Sequence, residues 1–109
     1  MTTKKSNEST VDGVKWAQKI LVNIPFGEFL RSMRESDEIT QTELARILGV
    51  TRQFINGIEQ GRKDVSLKLA REIAIALGYS PLIFAKILLR SQLHDAGFDC
   101  EVKLIDKVS

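Results

Sequence analysis

The 109-residue sequence predicts an all-α fold. Three observations predict it. Apolar residues recur three and four positions apart in one segment after another, which is the period of one helix face. Those segments open on capping residues: Thr40, Thr51, Ser66 or Asp64, and Ser80 followed by Pro81. They close on polar clusters or on glycine, Gly49 and Gly78. The result is a five-helix domain over residues 25–94. An extra N-terminal helix precedes it and a candidate short β-strand follows it.

Residues 1–10 (MTTKKSNEST) are polar and aperiodic, and read as a disordered, solubilising tail, with a DNA-following arm from Lys4 and Lys5 as the alternative. Residues 11–24 read as a helical extension. Val14, Ala17, Ile20, Leu21 and Ile24 recur near helical spacing, with Asp12 as a cap and Trp16 as an anchor for core or interface. Pro25 ends that helix, because the residue before a proline is pushed out of the helical region. Phe26, Phe29, Leu30 and Met33 then form the stripe of the first domain helix. Thr40-x-x-Glu43 is a capping box for the second, with Leu44, Ala45 and Leu48 facing inward. The third runs from Thr51 to about Ile58 on the core pair Ile55 and Ile58. The fourth carries Leu69, Ile73, Ala76 and Leu77, and the fifth extends from Pro81 to about His94. Residues 95–109 are a C-terminal extension. Within it residues 99–105 alternate, with Cys100, Val102 and Leu104 on one side. A lone strand cannot satisfy its own backbone, so it implies the same strand of a second subunit.

Composition excludes several functions. The single cysteine, Cys100, permits no internal disulfide and supplies no metal cluster, and reads as a small apolar residue. The single histidine, His94, reads as a helix C-terminal residue, without a nucleophile–base grouping, so no hydrolytic site is expected. Nothing points to a cofactor, a metal or an enzyme. No apolar run reaches signal-peptide or membrane-span length, and a cytoplasmic protein without a membrane partner is expected. Net charge is +2. Residues 1–25 carry +2, residues 26–94 carry +2 and residues 95–109 carry −2. The mild total hides a basic body and an acidic tail.

The informative segment is QTELARILGVTRQFINGI, residues 41–58. Two short helices flank Gly49-Val50. Ala45 is small where the helices approach, Gly49 sits at the sharp turn, and Ile55 and Ile58 lock the second helix onto the first. That is helix-turn-helix spacing, which holds a second helix rigidly with its first turn and one face open to a DNA major groove.

Residues 26–84 resemble the phage-repressor-like (Cro/XRE-type) helix-turn-helix family. The resemblance rests on Gln41, Leu44-Ala45, Leu48-Gly49-Val50, Ile55, Ile58-Glu59, Gly61 and Ala74…Leu77-Gly78 in order. It implies a lambda-repressor-like fold bound to an operator in double-stranded DNA. It further implies base contacts from Arg52, Gln53 and Asn56. Arginine suits guanine and glutamine suits adenine. Phosphate contacts fall to Gln41, Thr51, Arg62 and Lys63. A structural ion pair is implied between Arg34 and Glu59. Two residues depart from or add to the pattern. Gly57 stands where the family often carries a longer polar or basic side chain, which removes one base contact. Phe54 reads as filling the gap toward the fourth helix, with contact to a thymine methyl or sugar as the alternative.

The stretch Leu82 to Leu89 is apolar on more than one face, which implies burial against a second protomer. Leu82, Phe84, Ile87, Leu88, Val102 and Leu104 are the expected dimer interface. The reading is a dimeric, sequence-specific transcriptional repressor that inserts residues 51–58 into the major groove. The alternative is an antitoxin that binds a toxin protein and represses its own promoter.

Overall fold

The computed structural model describes residues 24–105 and 107. They form five helices: α1 (Phe26–Ser36), α2 (Gln41–Leu48), α3 (Arg52–Glu59), α4 (Leu67–Leu77) and α5 (Pro81–Asp95). The expected tail and most of the N-terminal helix fall on residues 1–23, outside the described residues, as do Lys4, Lys5 and Trp16. Ile24 is described, and packs against the core.

Each helix starts for a local reason. Pro25 is extended and caps α1. The Thr40 hydroxyl accepts from the Glu43 N–H at 3.0 Å, and the Glu43 carboxylate accepts from the Thr40 N–H at 2.8 Å, so the capping box is complete. Thr51 and Ser66 accept from the N–H groups of Phe54 and Leu69, each at 3.0 Å. Pro81 occupies the first turn of α5, where its missing N–H costs nothing. Gly49 ends α2 at φ +73°, a left-handed geometry that favours glycine.

The core is one cluster to which all five helices contribute: Phe26, Phe29, Leu30, Leu44, Ala45, Ile55, Ile58, Ala70, Ile73, Ala74, Leu77, Phe84, Ile87 and Leu88, with Val65 from the connection before α4. Phe29 and Phe84 meet edge to face with ring centroids 4.9 Å apart, and Tyr79 stacks on Phe84 at 6.0 Å. Polar ties close the ends. The Phe26 N–H donates to Ser91 Oγ at 3.2 Å, and the Tyr79 hydroxyl donates to Asp37 at 3.0 Å.

Two expectations need correction. Phe84, Ile87 and Leu88 are buried in the chain's own core and are not available to a partner. The reason is that α5 packs on both α4 and α1, which consumes two faces of the helix inside one protomer. Leu82 and Ile83 remain exposed, at 41% and 54%. Residues 99–105 form neither strand nor helix. A strand needs a neighbour for its N–H and C=O groups, and the described residues contain no second strand. Val102 is half-buried there, while Leu104 and Cys100 are exposed.

Candidate nucleic-acid interface

The interface is built by α2 and α3 with the loop that follows α3. Ile55 and Ile58 are fully or almost fully buried and anchor α3 on α2 and α1. That leaves Arg52 and Gln53 exposed on the first turn and Asn56 half-exposed one turn on. Phe54 is half-buried and packs against the core, the packing role expected of it.

Behind this surface lies a continuous polar network. Arg34 reaches Glu59 twice, with Nε donating to Oε2 at 2.7 Å and Nη2 to Oε1 at 3.1 Å. Its Nη1 donates to the Ile39 carbonyl at 2.7 Å. Both residues are only 7% exposed, so this is a buried, bidentate ion pair. The Glu59 hydrogen bond raises the Arg34 pKa above its ordinary value, with burial opposing it. The pair joins α1 to the end of α3.

Gln41 extends the network to the surface. Its Nε2 donates to Glu59 Oε1 at 3.0 Å and to Asn56 Oδ1 at 3.1 Å. Its Oε1 accepts from Arg52 Nη1 at 2.8 Å. The orientation of the Gln41 amide follows from its partners. The carboxylate can only accept and the guanidinium can only donate, so nitrogen faces Glu59 and oxygen faces Arg52. Gln41 therefore ties the first turn of α2 to Arg52 and Asn56 on α3. Its side-chain donors are both spent on these bonds, so an anion there would meet its main-chain N–H. Thr51 uses its hydroxyl oxygen as the cap of α3, which leaves the hydroxyl proton to donate. Arg62 and Lys63 are exposed in the loop after Gly61, and both backbone N–H groups donate to the Gly57 carbonyl, at 2.8 and 3.2 Å.

Gly27 escaped the sequence reading. A Cβ at this position would overlap the Ile58 carbonyl oxygen and stand 2.8 Å from that of Glu59. Only a bare α carbon lets the start of α1 rest on the end of α3. The one signal in the sequence is a glycine beside Phe26, inside a helix that opens after proline.

The comparisons decide the family. A family model described as Helix-turn-helix matches residues 30–84, half of the chain. The chain belongs to the Cro/XRE-type helix-turn-helix family. It is 51% identical over 49 residues to an uncharacterized HTH-type transcriptional regulator of Methanothermobacter thermautotrophicus, covering 45% of this chain and 71% of that one. It is 30% identical over 73 residues to the ImmF control region 10 kDa protein of Bacillus phage phi105, covering 67% and 80%. Among solved structures it resembles the restriction-modification controller protein C.AhdI of Aeromonas hydrophila, with a TM-score of 0.52 and 34% identity over 59% of this chain and 90% of that one. The matched residues contain α2, α3 and α4 whole.

Proposed function

We propose that this helix-turn-helix protein is a sequence-specific, DNA-binding transcriptional regulator that acts as a repressor on an operator. Family membership supports DNA binding, and one observation carries the mechanism. The Arg34–Glu59–Gln41 network ends on Arg52 and Asn56, so a buried ion pair fixes side chains that face outward from α3. Ordering a long arginine before contact lowers the entropy lost on binding.

In this reading α3 enters the major groove. Arg52, Gln53 and Asn56 face base edges, where arginine suits guanine O6/N7 and an amide suits adenine N6/N7. The Gln41 main-chain N–H, the Thr51 hydroxyl and Arg62 meet phosphates and set register. The site offers hydrogen-bond donors and cations for binding, and we assign it no catalytic role, cofactor or metal. We place the protein in the cytoplasm. No helix of the described residues is long and apolar enough to cross a membrane.

Operator reading works through two half-sites, so the functional unit is a homodimer whose recognition helices lie about 34–36 Å apart. Among the described residues Ile47, Leu67 and Ile75 are also exposed, but of the expected interface only the start of α5, Leu82 with its neighbour Ile83, and Leu104 beyond it remain exposed for that contact. The antitoxin alternative has no observation in its favour. Selection of bound duplexes from a random library tests the proposal. The expected product is a two-fold symmetric site with half-site centres about one helical turn apart. Recovery of no preferred sequence, or of a single unrepeated site, contradicts it.

A further inference from the structure

Gly57 is buried, although it lies on the open side of α3. Gln53, one turn earlier and 40° away around the helix, is exposed. What covers Gly57 is the stem of Lys63. A Cβ built on Gly57 would stand 2.7 Å from Lys63 Cγ and 3.8 Å from its Cβ and Cδ. The loop is also pinned at that point, because the Arg62 and Lys63 N–H groups both donate to the Gly57 carbonyl. The missing side chain is therefore not a gap. It is a track across which a lysine from the next loop is laid, with its Cβ, Cγ and Cδ against the helix while the residue as a whole stays exposed.

We propose that Gly57 is a positioning residue for Lys63, and that Lys63 supplies the groove contact one turn after Gln53 that α3 itself lacks. This rests on α3 being the reading helix. It moves Lys63 from the phosphates beside the half-site to a base edge within it. An ammonium at this position matches acceptor-only base edges, guanine N7 and O6 above all.

The test uses the full chain and its selected operator, with Gly57→Ala, Lys63→Ala, the double variant, and Arg52→Ala as a control. Lys63→Ala should weaken operator binding about tenfold and relax preference at one base pair, as loss of a single base contact does. Gly57→Ala should lose about as much, because its methyl displaces the lysine stem. The double variant should be no weaker than either single variant. Gly57→Ala should remain folded, because the helix gain from alanine offsets part of the cost of displacing the Lys63 stem. Circular dichroism at the binding temperature checks that the loss of affinity is not unfolding. Three results would overturn the proposal. They are Gly57→Ala binding like wild type, a double variant whose loss is the product of the single losses, or Lys63→Ala weakening all sequences alike. If Arg52→Ala also binds and discriminates like wild type, the reading helix is wrong and the proposal falls with it.

Discussion

At the residue scale, the Arg34–Glu59 pair shows how burial separates stability from function. Removing two charges from water costs several kcal/mol each, and mutual attraction returns about that much, so the intact pair adds little net stability. Loss of one partner is different, because it strands a buried charge. Glu59→Ala should destabilise the fold by about 3–5 kcal/mol in urea unfolding. Arg34→Met combined with Glu59→Leu should recover most of that loss. The recovered fold should still bind its operator weakly, because Gln41 has lost the carboxylate that holds it and, through it, Arg52 and Asn56. Equal recovery of stability and DNA affinity would mean that the pair is only structural.

At the element scale, the helices depend on how they start and how closely they approach. Glu43 accepts the Thr40 N–H, and that bond holds its carboxyl below the ordinary value of 4.5. A depressed carboxylate pKa stabilises the fold above the ordinary value, and the contribution disappears as pH falls through the lower, folded value. Acid unfolding of Glu43→Gln should therefore show less pH dependence below about 4.5 than wild type. Identical acid profiles would show that the box contributes nothing. Gly27 governs the approach of α1 to α3. Gly27→Ala must push α1 away from the carbonyls of Ile58 and Glu59, and should cost about 1–3 kcal/mol by thermal unfolding, as overpacking does. A wild-type melting temperature would show that the contact relaxes freely. The five helices were legible because period and capping chemistry are local: Thr40, Thr51 and Gly49 announce their roles in four or five residues. Gly27 was not legible, since its neighbour Ile58 lies about thirty residues away. Residues 99–105 are not a strand within this chain, because alternation reports a face while strand formation depends on a neighbour that the alternation does not contain.

At the scale of the whole molecule, the site residues split the same way. Arg34 and Glu59, and the surface positions Arg52, Gln53 and Asn56, follow from the motif. That Gln41 binds three of these residues at once required three dimensions. The apolar excess of α5 signalled burial on more than one side, but Phe84, Ile87 and Leu88 are buried within the chain's own core, where Phe84 meets Phe26 and Phe29 of α1. The proposed dimer contact therefore rests on Leu82 and Ile83. Leu82→Glu with Ile83→Glu should leave the protomer folded and shift its mass in sedimentation from dimer to monomer. An unchanged dimer would place the interface elsewhere. The most direct measurement of the central claim is operator affinity and sequence preference of Arg52→Ala beside wild type. The account predicts a loss of about 1–3 kcal/mol and relaxed preference at one base pair in each half-site, with the fold intact. Unchanged affinity and preference would contradict it.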